Sequence, residues 1–109
     1  MNDIDKYLEF THSTAIYPSA NSFSETEWHY LLDGFVGEVG EIAGKSSKWH
    51  RDGDFDKTKM AKEIGDCFWF LVRMCHWLGY KPSEILEANA NKLAKRLLEN
   101  KIGGSGDDR

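Results

Sequence analysis

The chain has 109 residues, a length that suits one domain with a modest hydrophobic core. Its formal net charge is −4 and no basic block occurs, which argues against non-specific nucleic-acid binding. The longest apolar run, 67–72, is too short to cross a membrane, and the first residues lack the features of a secretory signal. Cys67 and Cys75 lie too far apart on one helix for a disulfide, so we expect reduced thiols and a cytoplasmic protein.

The spacing of apolar residues predicts four helices and no strands. The first covers about 3–16 and must end before Pro18, because the residue before a proline resists helical geometry. The second begins at Ser24 and runs to about Trp49 or His50, with 51–54 as a turn. Ser24 and Glu27 have the spacing of a capping box, in which the serine caps one backbone N–H and the glutamate reaches back to another.

The third and fourth helices are predicted over about 56–78 and 82–100. Asp56 is a plausible N-cap, Gly79 a plausible stop, and Pro82 suits a first helical position. Between Cys67 and Leu78 the third helix is apolar nearly all the way round, and such a helix needs burial on every side. We therefore expect an all-α, four-helix bundle domain over 1–102, assembling through this helix into a dimer or tetramer. A glycine-rich tail follows at 103–109.

Two pairs of carboxylates interrupt the apolar stripes of the second and third helices. Glu38 and Glu41 form one pair and Glu63 and Asp66 the other, and each pair is spaced to lie on one helix face. Solvent-facing acids are the ordinary interpretation of such pairs, but several of their neighbours at helical spacing are apolar. A buried carboxylate needs a cation or a proton, so the pattern favours a shared site.

Glycines cluster beside these acids, although each costs a helix interior about 1 kcal/mol relative to alanine. We expect them to mark a close approach of the second and third helices; they are Gly34, Gly37, Gly40, Gly44 and Gly65. Carboxylates without histidine or cysteine favour hard cations, hence Mg²⁺ or Mn²⁺, and four negative charges would suit two ions. Paired Mg²⁺ ions bridge phosphate oxygens and activate water, which indicates phosphoanhydride chemistry.

The same residues resemble the signature of the MazG-like, all-α nucleoside triphosphate pyrophosphohydrolases. The resemblance covers most of the chain, from about Thr14 onward. Its first motif is Gly34-Phe-Val-Gly-Glu-Val-Gly-Glu-Ile-Ala, its second Lys62-Glu-Ile-Gly-Asp-Cys-Phe-Trp-Phe-Leu, and its third Glu87-Ala-Asn-Ala-Asn-Lys-Leu-Ala-Lys-Arg. Many members carry a further glutamate where this chain has Gly37, and we assign no metal role there.

The resemblance implies Mg²⁺-dependent hydrolysis of (deoxy)nucleoside triphosphates to monophosphate and pyrophosphate, by metal-activated water at the α-phosphorus, and a role in nucleotide-pool housecleaning. Glu38, Glu41, Glu63 and Asp66 would be the metal ligands and catalytic residues.

Substrate contacts are expected from residues outside the acidic pairs. Lys48 and Lys92 are candidates for phosphate, with Arg96 on the same face as Lys92. Asn89 suits a sugar or base edge. Trp69 could stack on a base, although core packing is an equally good interpretation. Solvated positions are slightly favoured for Lys45 and Arg51.

Two other classes of protein remain open. A di-iron carboxylate bundle would use Glu9 and His12 as a Glu-x-x-His pair, but the second pair that such sites need is missing. A non-catalytic helical interaction module would use the aromatic third helix as a docking face, which leaves the acids at apolar positions unexplained.

Overall fold

The computed structural model describes residues 3–100, which form four α-helices and no strands, as predicted. The helices are α1 (Ile4–Thr11), α2 (Glu25–Asp52), α3 (Lys57–Leu78) and α4 (Pro82–Leu98). The main helix contact is between α2 and α3, which a short connection makes antiparallel, and α1 and α4 pack on α3 and on each other. Within this part of the chain, no helix is long and apolar enough to span a membrane.

Helix α1 ends at Thr11 and is therefore shorter than the predicted helix over about 3–16. Side-chain hydroxyls take up the last carbonyls: Thr11 Oγ1 donates to the Leu8 carbonyl at 2.6 Å, and Ser13 Oγ donates to the Phe10 carbonyl at 2.7 Å. Such local bonds compete with the backbone ladder and favour turns. The chain then leaves the helix and buries Ala15 and Tyr17 in the core.

The predicted helix ends of α2 and α3 are largely confirmed. Ser24 and Asp56 each accept a hydrogen bond from the backbone N–H three residues further on. Helix α2 continues slightly beyond the predicted end, to Asp52, because the left-handed residue that terminates it is Gly53, at φ 72°. Gly79, at φ 84°, ends α3 as expected.

The second half of the predicted capping box is wrong. The Glu27 carboxylate turns towards the preceding loop, where it accepts the Tyr17 hydroxyl at 2.6 Å and the backbone N–H groups of Asn21 and Phe23 at 2.9 Å each. Asn21 and Phe23 have φ values of 60° and 54°, a left-handed conformation that is costly for residues other than glycine. Glu27 therefore holds a strained loop against the start of α2.

Helix α3 contains a buried cation, Arg73, in the segment predicted to be apolar nearly all the way round. Its side chain is 1% exposed, and its guanidinium donates to Asn21 Oδ1 at 2.8 Å, His12 Nδ1 at 2.9 Å and Thr11 Oγ1 at 3.3 Å. These bonds tie the loop between α1 and α2 to the middle of α3. Arg73 is thus a structural anchor for the loop that Glu27 holds from the other side.

The protomer is more open than a closed four-helix bundle. Over the described residues, α4 packs on α1 and α3 but not on α2. The Cα radius of gyration is 16.7 Å, whereas a compact domain of this length has about 13 Å. Large apolar side chains consequently remain exposed on α3 and α4: Phe68 is 48%, Leu71 39% and Leu86 54% exposed.

Candidate metal centre

Three of the four predicted acids converge where α2 packs against α3. Glu38 comes from α2 and Glu63 and Asp66 from α3, and one carboxylate oxygen of each lies within 4.8 Å of the others. Glu38 and Glu63 are half-buried, whereas Asp66 is exposed. The group is therefore walled by the two helices on one side and open to solvent at Asp66.

Glu41, the fourth predicted ligand, is exposed and is not among the acids that come within this distance in residues 3–100. Its negative charge nevertheless acts on Glu38, one turn away. Its role as a metal ligand stays a prediction.

The neighbouring acids favour the protonated form of Glu38. A hydrogen bond with Glu63, burial, and the charges of Asp66, Glu63 and Glu41 raise the pKa of Glu38 to about 7. Carboxylates this close cannot all ionise without a compensating charge, so the group takes up either a proton or a cation.

Three neighbours of the cluster had no predicted part in it. Burial and the cluster's negative charge raise the pKa of the Cys67 thiol, and burial together with Asp66 raises the pKa of the Tyr7 hydroxyl. Lys45 Nζ lies 3.9 Å from Glu63 Oε1, and its side chain is 33% exposed. Lys45 is thus partly solvated and also close to the cluster, and its role towards a substrate stays a prediction.

The predicted close approach of the helices holds at only one of the five glycines. A Cβ atom on Gly34 would lie 2.3 Å from Cε1 of Phe70, so α3 does come too close there for a side chain. Around the other four, no side chain would meet a neighbour within 4 Å; they are Gly37, Gly40, Gly44 and Gly65. At about 100° per residue, the later glycines of α2 turn away from the face that Gly34 presents to α3.

The predicted substrate residues fall in different places. Lys48 lines a cavity at the connection between α2 and α3 and lies 3.6 Å from Asp54 Oδ2. Trp69 is half-buried in the core, where its indole N–H donates to Thr14 Oγ1 at 2.7 Å and its ring packs against Tyr17 and Phe70. Trp69 therefore packs against the core, and its stacking on a base stays a prediction.

Two of the three α4 candidates share a cavity of their own. Asn89 and Lys92 line an open concavity of about 360 Å³ with Tyr80 and Ile85. Arg96 is buried, at 4% exposed. Their substrate roles stay predictions.

Glu9 and His12, the pair considered for a di-iron site, do not join the carboxylate group. His12 Nε2 lies 3.9 Å from Glu9, but its Nδ1 accepts from the buried guanidinium of Arg73. A fixed positive charge at that nitrogen opposes a metal ion beside it, so the histidine serves the loop anchor instead.

The convergent acids fit a small divalent cation. All three supply carboxylate oxygen, the ligand type that Mg²⁺ and Mn²⁺ prefer. Oxygens on opposite sides of one Mg²⁺ ion are about 4 Å apart, given bond lengths of about 2.1 Å. Neighbouring oxygens on one Mg²⁺ ion are closer, about 3 Å apart, so three oxygens that lie within 4.8 Å of one another would have to draw together to bind a single ion.

The fold and the site together define an all-helical protein with a cluster of three carboxylates on its central helix pair. The chain is 36% identical over 112 residues to the Gene 37 protein of Mycobacterium phage L5, an alignment that covers 97% of this chain and 98% of the phage protein. It belongs to the same family as that phage protein, whose name states no activity. No protein-family model and no solved structure matches the chain, so the resemblance to pyrophosphohydrolases depends on the motif residues themselves.

Proposed function

We propose that this protein is a Mg²⁺-dependent pyrophosphohydrolase that cleaves (deoxy)nucleoside triphosphates to monophosphate and pyrophosphate. The observation that carries the proposal is the convergence of Glu38, Glu63 and Asp66 from two helices within 4.8 Å. It supports a divalent metal site, and the resemblance of the three motifs supports the reaction and the MazG-like assignment. Mn²⁺ is the alternative ion.

In the proposed reaction, Glu38, Glu63 and Asp66 would hold the metal, and Glu41, one turn away, would extend the site. Bound divalent ions would neutralise charge on the phosphate oxygens and lower the pKa of bound water. The exposed side at Asp66 admits the triphosphate. A water oxygen bonds to the α-phosphorus and the water releases a proton to solvent, while the bond to the α–β bridging oxygen breaks and pyrophosphate leaves with that oxygen.

The test is a panel of nucleoside and deoxynucleoside triphosphates incubated with purified protein and Mg²⁺. We expect pyrophosphate and monophosphate in equal amounts and no release of single phosphates. Because a bound metal ion contributes several kcal/mol of charge stabilisation and the loss of one ligand weakens its binding, Glu38→Gln and Glu63→Gln should each lower kcat/KM on the order of 10²–10³-fold. Removing divalent cations with a chelator should abolish turnover.

Asp33→Asn is the matched control, since Asp33 is an exposed acid on α2 outside the carboxylate group. It should retain wild-type activity. The proposal fails if no nucleotide in the panel is hydrolysed, an outcome that would favour a non-catalytic interaction module. It also fails if Glu38→Gln and Glu63→Gln are as active as Asp33→Asn.

We also propose that the protomer assembles into a dimer or tetramer through the apolar face of α3 and α4, and that the enzyme acts on nucleotide pools in the cytoplasm. The exposure of Phe68, Leu71 and Leu86 supports the assembly. The two cysteines support a reducing compartment, because both are free thiols.

A further inference from the structure

A cavity of about 170 Å³ lies at the tip of the α2–α3 hairpin. Lysines from both helices line it: Lys45 and Lys48 from α2 and Lys59 from α3. The other lining residues are Asp54, Phe55 and Asp56, and the Phe55 ring stacks on Trp49 with centroids 4.5 Å apart. The cavity is several times larger than the ~30 Å³ that one water occupies, so it has room for a small anion.

The two aspartates of the cavity have structural partners. Asp56 Oδ1 accepts the backbone N–H of Lys59 at 3.1 Å and so caps α3, and Asp54 Oδ2 lies 3.6 Å from Lys48 Nζ. Lys59 Nζ makes no ion pair with any residue of 3–100. The side chains that line the cavity thus carry three positive and two negative charges, and Lys59 is the lysine among them without an ion pair in residues 3–100.

The hairpin tip is basic although the protein is acidic. Residues 42–62 contain six lysines and arginines and three aspartates, whereas the whole chain has 14 basic and 18 acidic side chains. A local concentration of positive charge in an acidic protein attracts anions to one place.

Lys45 links the cavity to the candidate metal centre. Positions 38, 41, 45 and 48 lie along one stripe of α2, and Lys45 both contacts Glu63 at 3.9 Å and lines the cavity. Ten residues of helix separate Glu38 from Lys48, a rise of about 15 Å. An elongated polyanion could thus contact the carboxylate-bound metal at one end and lysines at the other.

We propose that this lysine cavity binds the pyrophosphate end of a nucleoside triphosphate, its β- and γ-phosphates, while the α-phosphate lies at the carboxylates. The inference rests on the proposed function and adds the residues that receive the leaving group. Lysine ammonium groups are compact charges that bind phosphate oxygens through charge-assisted hydrogen bonds. Lys45, shared between Glu63 and the cavity, holds the boundary between the two sites.

The direct test is binding of inorganic pyrophosphate with Mg²⁺, measured by isothermal titration calorimetry, because it does not depend on turnover. Each of Lys48→Ala and Lys59→Ala removes one charge-assisted contact and should weaken pyrophosphate binding roughly tenfold. KM for the triphosphate should rise by a similar factor. Binding of a nucleoside monophosphate should be unchanged, since that ligand has only the α-phosphate.

Lys57→Ala is the matched control, because Lys57 lies on the same turn of α3 but does not line the cavity. Lys59→Gln keeps the length of the side chain and separates loss of charge from loss of packing. The proposal is overturned if Lys48→Ala and Lys59→Ala bind pyrophosphate as the wild type does, or if Lys57→Ala weakens it equally.

The two proposals can fail separately. Selective loss of pyrophosphate binding in Lys59→Ala, without hydrolysis of any nucleotide by the wild type, would refute the enzyme and support the cavity. Hydrolysis that is unaffected by Lys48→Ala and Lys59→Ala would support the enzyme and refute the cavity.

Discussion

At the scale of single residues, Glu27 and Arg73 fix the loop between α1 and α2. Glu27 is 2% exposed and accepts three hydrogen bonds from Tyr17, Asn21 and Phe23. Burial raises its pKa, but those bonds and the charge of Arg73 outweigh burial, so the pKa of Glu27 falls below its ordinary value of 4.5. The same environment raises the pKa of the Tyr17 hydroxyl to about 12, chiefly through burial. The ionised carboxylate is thus part of the folded state.

We predict that Glu27→Gln lowers the free energy of unfolding by about 1–3 kcal/mol at neutral pH, because buried donors lose a charged acceptor. Since the folded pKa lies below the unfolded value of 4.5, this stabilisation is present above that value and is lost as pH falls through the folded pKa. Urea denaturation over a pH series should therefore show the wild-type advantage shrinking in acid.

The control for this prediction is Glu25→Gln, an exposed acid on the first turn of α2 whose carboxylate lies 3.3 Å from His29. Substitution at such a surface position usually changes the free energy of unfolding by no more than about 0.5 kcal/mol. An unchanged free energy of unfolding in Glu27→Gln, or a loss equal to that of Glu25→Gln, would contradict the role given to Glu27.

At the scale of elements, three positions along one face of α2 contact α3. Gly34 meets Phe70, then Glu38 meets Glu63 and Asp66, and Lys45 completes the stripe beside Glu63. The Phe70 ring is itself packed against Trp69, with ring centroids 5.0 Å apart, so it has little freedom to move aside. Gly34 therefore determines how closely α2 and α3 approach each other one turn before Glu38.

We predict that Gly34→Ala is less stable than Gly44→Ala by about 1–3 kcal/mol, the usual cost of overpacking. Both substitutions gain the same helix propensity, so their difference isolates the contact with Phe70. A Cβ atom at Gly44 would meet nothing within 4 Å, whereas one at Gly34 would lie 2.3 Å from the Phe70 ring. Denaturant unfolding of the two variants measures the difference, and equal stabilities would show that the ring moves aside.

At the scale of the whole molecule, the protomer leaves much apolar surface uncovered. Helix α4 does not pack on α2 in the described residues. This arrangement accounts both for the radius of gyration of 16.7 Å and for the exposed apolar face of α3 and α4. Phe68, Leu71 and Leu86 line an apolar groove with Ile4, Val72, Cys75, Pro82 and Ile85. Burying this face in an assembly would remove it from water, which is the physical basis of the proposed dimer or tetramer.

We predict that the double substitution Phe68→Glu and Leu71→Glu shifts the protein from oligomer to monomer, because two buried charges in an apolar interface have no partners. Sedimentation velocity or light scattering over a concentration series measures the change. Ile16→Glu is the control, since Ile16 is 86% exposed on the loop after α1 and lies outside this face. A wild-type protein that is monomeric at all concentrations would contradict the proposed assembly.

The sequence alone determined the all-helical class, the number of helices and most of their ends, because capping residues, glycine stops and apolar spacing act over a few neighbouring residues. It also identified the three acids that converge, Glu38, Glu63 and Asp66, as part of a predicted set of four that included Glu41. The C-terminal tail, 103–109, and its predicted boundary lie outside the described residues.

Only the tertiary structure decided which partners these residues meet. Glu27 accepts hydrogen bonds from Tyr17 and from two backbone N–H groups of the preceding loop instead of capping its own helix. Arg73 is buried and anchors that loop. Of the five glycines, only Gly34 lies against the neighbouring helix. Lys45 joined the carboxylates, and the lysine cavity formed between residues of two helices. These outcomes depend on the rotation and distance of α2 relative to α3, which are set by long-range packing and so cannot be inferred from the spacing within either helix.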